Sequence, residues 1–288
     1  LFRSKFATKG TPMSVATTAS RTVALVEDEE GRTTLFVWNA RTTTVNYQLV
    51  SPSYPSCFCL HEEGRYIIAG TKSGSIIIWD LLKKEKSSRD DSIVEAVFTT
   101  NDTPSKNHKD AIQGISVFGR PGTFVVCAID GSSNASFWSI QRDADGIELL
   151  KSQDIPLSPS FFPTFSIAAP PNSVDTFLVG CGRSIWNCSR FGGNTSPATY
   201  SATSSVKSIS YSPVITNLFA AGQDNGKIAI YDTTTQEPLI EYMLDLSTSN
   251  MYVCWSPTRA SVFFVAAAAT MRVFIFDILN NVMSIEEK

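Results

Sequence analysis

Histidine is almost missing from this chain of 288 residues, which has only His61 and His108. Nucleophilic catalysis by serine or cysteine needs a base within hydrogen-bond reach, usually histidine. His61 sits on the turn-like LHEEG and His108 in a polar insertion, and neither adjoins a nucleophile motif. The six cysteines (Cys57, Cys59, Cys127, Cys181, Cys188, Cys254) include no C-x-x-C pair, which argues against a zinc site and a disulfide framework. Nor is there a basic excess: 24 Lys and Arg stand against 27 Asp and Glu, and the charge runs at 27–30 (EDEE) and 83–86 (KKEK) are short. Such a surface cannot track phosphates, so nucleic acid is not an expected partner.

Long apolar runs are also lacking. The opening LFRSKFATKG has no signal-peptide core. The segment 262–283 is broken by Arg272 and Asp277, short of the roughly 20 apolar residues of a spanning helix. These features read as a cytosolic protein without membrane insertion. On that reading the glycosylation triplets at Asn101, Asn134, Asn187 and Asn194 stay unused. The loop AGTKSGS (69–75) lacks the Gly-Lys-Ser step of a phosphate loop and joins two apolar runs instead of opening a helix, so it reads as a hairpin turn. The chain begins at Leu, which suggests part of a longer polypeptide.

What is present is a repeat. Aligning on the aromatic that ends each apolar run picks out Trp38, Trp79, Trp138, Trp186, Tyr231 and Phe276, at steps of 41, 59, 48, 45 and 45 residues. These steps fit propeller blades of about 40 to 45 residues, the longer ones holding insertions. Asp80, Asp232 and Asp277 follow the aromatic directly, and such recurrence suits loop hydrogen bonds better than a unique active site. PSCFCL, EEGR, YIIAGT, SG and SIIIWDL then read as strand, turn, strand, turn, strand, and 206–232 repeat that order with a type I′ turn expected at Asn225-Gly226. No segment sustains a helical period. The expectation is an all-β, WD40-type β-propeller, one domain over 1–288, with six recognisable blades at about 11–50, 51–110, 111–155, 156–203, 204–248 and 249–288. The insertion 82–110 reads as a solvated loop plus one outer strand, and 143–163 as a connection between blades.

WSPTR (255–259) and YSPVI (211–215) read as equivalent corners in which proline ends a strand and serine bonds into the turn. Arg259 is the part not needed for turning, and Trp255 lies on an inner-strand position. These two residues are the candidates for partner contact. No catalytic, cofactor-binding or metal-binding residue is assigned.

The segments 55–81 (PSCFCLHEEGRYIIAGTKSGSIIIWDL) and 206–279, with VKSISYSPV, VCWSPTR and VFIFDIL, resemble the WD-repeat dynein intermediate chains. Within them the match is to the larger intermediate chains of cytoplasmic dynein 2, the retrograde motor of intraflagellar transport. It is good over about 100 residues and thin from Leu82 to Phe162. Ala260 and Phe276 stand where the family has Pro and Trp. The resemblance implies a non-catalytic subunit in the cytoplasm, cytoskeleton and cilium whose propeller clasps the dynein heavy-chain tail. It further implies a seventh blade after Asp277, and an N-terminal extension, not present in this sequence, that holds light chains and pairs with a second intermediate chain. The alternative is a generic WD40 scaffold or adaptor that reads a peptide motif, of ubiquitin-ligase receptor or signalling type.

Overall fold

In this computed structural model, the described residues form six sheets divided between two compact units, Leu1–Ser158 and Pro159–Lys288, three to each. The structure describes residues 9–18, 20–42, 44–61, 64–86, 92–120, 123–143, 146–156, 164–171, 173, 175–191, 198–244, 251–256, 258–267, 272–280 and 282–286. In the first unit, β1 (Thr11–Thr17), β2 (Arg21–Glu27), β3 (Thr33–Asn39) and β4 (Val45–Leu49) form one meander. The next is β5 (Pro55–His61), β6 (Tyr66–Thr71) and β7 (Ile76–Asp80), followed by a short helix, α1 (Leu81–Lys86). Two short strands, β8 (Ile93–Val94) and β9 (Phe98–Thr99), pair with β4 and β7 respectively. The third is β10 (Ile112–Arg120), β11 (Thr123–Asp130), β12 (Asn134–Asp143) and β13 (Gly146–Pro156).

The second unit repeats this pattern. Its sheets are β14 (Thr164–Ala168), β15 (Thr176–Cys181), β16 (Ser184–Ser189), β17 (Ala198–Ser201); β18 (Val206–Tyr211), β19 (Leu218–Gln223), β20 (Lys227–Asp232), β21 (Pro238–Met243); and β22 (Met251–Trp255), β23 (Val262–Ala267), β24 (Arg272–Asp277), β25 (Val282–Glu286). This is the blade architecture of a WD40-type β-propeller.

The middle strands explain why the apolar runs are continuous and do not alternate. Every residue of β6 and β7 is buried, because each face packs on a neighbouring blade. The cores accordingly lie between blades. Ile68, Ile76 and Ile78 pack with Ile112, Val126 and Trp138 of the next sheet, and Ala220, Ile228 and Ile230 with Met251, Val253 and Phe263. An outer strand such as β21 instead alternates between half-buried and exposed.

A small device recurs where one blade receives the next. The inner strands β1, β5, β10, β14 and β18 each carry a bulge near their start, whereas the register of β22 is continuous. Three of the bulges sit opposite a glycine of the second strand, Gly70, Gly180 or Gly222. A methyl group on Gly70 would lie 2.4 Å from Ile112 Cγ2, and one on Gly180 2.9 Å from Val206 Cγ1. Glycine is needed there because a neighbouring inner strand occupies the space.

Four expectations change. The hairpin at 223–227 forms, but it is not type I′: among described non-glycine residues only Ser133 has positive φ, so Gly226 (φ 85°) alone supplies the left-handed step. Asn225 instead accepts from the Lys227 N–H through its side chain (3.1 Å). The insertion 82–110 gives α1 and two short strands in different sheets, where one outer strand was expected. Within 143–163, the alternating GIELLKSQDIP forms β13, paired along β12. In the fourth blade, Cys188 and not Trp186 takes the repeat position: Cys188 pairs with Phe177 as Trp79 pairs with Ile67 and Tyr231 with Phe219. Positions 186 and 188 share a face of the strand, so the aromatic is displaced by one pleat and misleads an alignment built on aromatics.

Candidate functional site

The two corners singled out in the sequence have the same hydrogen-bond geometry. At WSPTR, the Ser256 hydroxyl accepts from the backbone N–H groups of Thr258 (3.4 Å) and Arg259 (3.2 Å), while Ser256 N donates to Val262 O (2.9 Å). At YSPVI, the Ser212 hydroxyl accepts from Val214 (3.4 Å) and Ile215 (3.0 Å), and Ser212 N donates to Leu218 O (2.9 Å). Pro257 lies outside the described residues. Serine thus satisfies the corner amides that the strand ladder leaves over.

Trp255 and Arg259 occupy opposite environments. Trp255 is buried; its indole N–H donates to Ser210 O (2.9 Å), and its ring tilts against Phe263 at a centroid distance of 5.5 Å. Its polar atom is thereby committed to the preceding blade. Arg259 is exposed, and among the described residues its guanidinium has no hydrogen-bond or ionic partner.

Inner strands of neighbouring blades run side by side in the same direction. Ser208 Oγ donates to Met251 O and accepts from Val253 N (2.9 Å each), and Trp255 N donates to Ser210 Oγ (3.3 Å). Ile209 N likewise donates to Ser166 Oγ (2.9 Å). The corners after β14, β18 and β22 therefore share one end of the second unit. A backbone bond clamps each to the turn after the third strand: Arg190 N to Asp175 O (2.7 Å), Thr233 N to Asn217 O (2.9 Å) and Ile278 N to Ser261 O (2.9 Å).

The carboxylates after the strand aromatics organise these turns. Asp80 takes a two-pronged bond from Arg65 (3.2 and 3.1 Å) and one from Leu82 N (3.0 Å). Asp232 accepts from Thr234 N (2.8 Å) and Asn217 Nδ2 (2.6 Å), and Asp277 from Leu279 N (3.2 Å) and Asn280 Nδ2 (2.7 Å). The Thr234 hydroxyl bond, then its N–H, lowers the Asp232 pKa; the Asn280 and Ser261 side chains lower that of Asp277. Asn39 and Ser189 fill the same position and accept from Arg41 N (2.8 Å) and Phe191 N (3.3 Å). The side chains exposed at the corner end of the second unit include the apolar Phe191, Val214, Ile215 and Leu279, and also Thr258 and Arg259.

One constellation was not legible in the sequence. His108 donates through Nδ1 to Asp130 Oδ2 (2.9 Å), its Nε2 meets Ser136 Oγ, and Ser136 Oγ accepts from Trp138 Nε1 (2.8 Å). The order Asp, His, Ser is that of a hydrolase triad. Its environment is not: the Asp130 and His108 side chains are 2% and 4% exposed, Ser136 is fully buried, and the serine oxygen already accepts the indole N–H. No substrate carbonyl can reach Ser136, so the chain of bonds joins the β9–β10 connection to β11 and β12. Burial pushes the Asp130 carboxyl up, but the bond from His108, the Asn134 N–H and the electrostatic pull of His108 outweigh it, and its pKa is lowered. Burial raises the Cys57 and Cys188 thiols to about 12, which removes them as nucleophiles. The described residues contain no cluster of metal-ligating side chains, and no helix among them is long and apolar enough to cross a membrane.

Comparison with known proteins agrees with the blade pattern. The chain resembles the intermediate chains of cytoplasmic dynein 2. It is 24% identical over 305 residues to cytoplasmic dynein 2 intermediate chain 1 of Mus musculus, covering 81% of this chain and 30% of that protein. The Homo sapiens counterpart is 22% identical over 298 residues, covering 81% and 28%. The chain therefore spans less than a third of the length of these relatives. A further relative is DDB1- and CUL4-associated factor 13 of Xenopus tropicalis, 22% identical over 225 residues, covering 77% of this chain and 44% of that protein. No family model matches the sequence. Among solved structures, that of U3-55K superposes with a TM-score of 0.71 at 13% identity over 94% of this chain and 78% of its own, a likeness of fold alone.

Proposed function

We propose that this chain is the propeller of a dynein intermediate chain: a non-catalytic subunit that holds the tail of a dynein heavy chain and serves retrograde intraflagellar transport and cilium assembly. The observation that carries this reading is the match to two dynein 2 intermediate chains across 81% of the chain. The geometry is consistent with it. The blades spend their polar groups on one another, and what is left to a partner is a set of rigidly clamped loops, which suits a surface that binds without reacting. At the corner end of the second unit, Arg259 is the contact residue on this reading, because the turn closes through Ser256 without its side chain. Trp255 acts from beneath, holding the corner to Ser210.

The test is recovery of the tagged full chain from its source cells at low salt, followed by identification of what accompanies it. A dynein 2 heavy chain is expected, and Arg259→Ala is expected to fold normally and recover less of it. Repeated recovery without any dynein heavy chain overturns the proposal. The second reading, a WD40 adaptor of ubiquitin-ligase type, draws on the match to the DDB1- and CUL4-associated factor, and recovery of DDB1 in place of the heavy chain would favour it.

A further inference from the structure

Seven serine or threonine residues precede a proline in this sequence: Thr11, Ser51, Thr103, Ser158, Ser196, Ser212 and Ser256. A protein kinase that selects proline after the acceptor, and a cation three residues on, finds the full pattern at two of them, Thr103-Pro104-Ser105-Lys106 and Ser256-Pro257-Thr258-Arg259. Proline carries no N–H, so a kinase groove lacking an acceptor at that point admits it and rejects other residues.

The structure separates the two. Ser256 is buried, and its hydroxyl accepts two backbone N–H groups that hold the corner. Phosphorylating it would require the corner to open. Thr103 is exposed, and its hydroxyl makes no hydrogen bond among the described residues. Its backbone is non-helical (φ −135°, ψ 78°), between one-turn 3₁₀ segments at Thr100–Asp102 and Pro104–Lys106. Among the described residues, two backbone bonds tie this stretch to its own turn, Thr103 N to Thr100 O (3.0 Å) and Lys106 N to Thr103 O (2.9 Å). The fold is anchored instead through Thr100, whose buried hydroxyl accepts from Ile76 N (2.9 Å), and Asn101, whose amide donates to Ser53 Oγ (2.9 Å). Residues 103–106 can therefore extend into a kinase groove while Thr100 stays in place.

We infer that Thr103 is a phosphoacceptor for a proline-directed kinase, with Lys106 as the cation that such a kinase reads. The γ-phosphoryl group of ATP passes to Thr103 Oγ1: one P–O bond forms as the bond to ADP breaks, and the hydroxyl proton goes to the kinase's base. The product adds a charge of about −1.5 to −2 beside Asp102. Because Thr103 Oγ1 bonds to no described residue, this charge acts on what the surface binds and leaves the blades intact.

The experiment is incubation of the folded full chain with a cyclin-dependent kinase and ATP, with the site read by tandem mass spectrometry, beside a heat-unfolded sample. Phosphate is expected at Thr103 and not at Ser256 in the folded chain, and at both in the unfolded one. Thr103→Ala should abolish incorporation into the folded chain without moving its melting temperature, and Lys106→Ala should slow it several-fold. Phosphate on Ser256 with Thr103 unmodified, labelling of Thr103 only after unfolding, or no labelling in either sample would each overturn the inference.

Discussion

Gly70, Ser136 and Arg259 show how differently single side chains bear on this fold. Gly70→Ala places a methyl group 2.4 Å from Ile112 Cγ2 in a packed interface, and a loss of about 1–3 kcal/mol is expected by chemical denaturation. Ser136→Ala leaves the Trp138 indole N–H without its acceptor and one His108 nitrogen without its partner, at a similar cost of about 1–3 kcal/mol. Arg259→Ala should leave the melting temperature unchanged, since no described group depends on its guanidinium. Asp130 adds a pH dependence. Its carboxyl titrates below the ordinary 3.8 in the fold, so its stabilisation is complete above that value and is lost as the pH falls through the lowered one. Asp130→Asn should remove this part of the acid sensitivity in melts recorded from pH 6 downward; an unchanged profile would refute the assignment. Of these residues, sequence reasoning isolated only Arg259. The Asp130, His108, Ser136 and Trp138 set escaped it because the four come from a connection and two strands that only the fold joins.

At the scale of elements, the apolar runs and the turn residues between them marked the middle strands, and the recurring carboxylates marked the turns that follow. Burial sets the weight of each carboxylate. Asp80 is almost fully buried and faces Arg65 with two prongs, whereas Asp277 caps an exposed turn. Asp80→Ala should therefore cost about 1–3 kcal/mol and Asp277→Ala distinctly less, compared by urea denaturation. What escaped detection were elements with weak local pattern. The outer strand expected in 82–110 divides into β8 and β9, each two residues long and so below any periodicity signal, because the edges of β4 and β7 both offer unpaired groups. The shift from Trp186 to Cys188 was hidden because strand register depends on pairing partners, not on residue type.

For the molecule as a whole, contacts between neighbouring blades imply that energetic effects stay local. Ser208→Ala and Gly222→Ala should couple, since a methyl group on Gly222 lies 3.1 Å from Ser208 Oγ, while Ser56→Ala and Ser208→Ala, in different units, should add to within about 0.5 kcal/mol. A double-mutant cycle read by denaturation distinguishes the two cases. The repeat, and with it the fold class, was legible because each blade must bury both faces of its middle strands. Partner choice was not, because the repeat does not constrain loop side chains such as Arg259. The insertion between α1 and β10 carries one last consequence. By pairing in parallel with β4 and antiparallel with β7, it seals the outer margins of two adjacent blades, so a foreign strand cannot add to these sheets there.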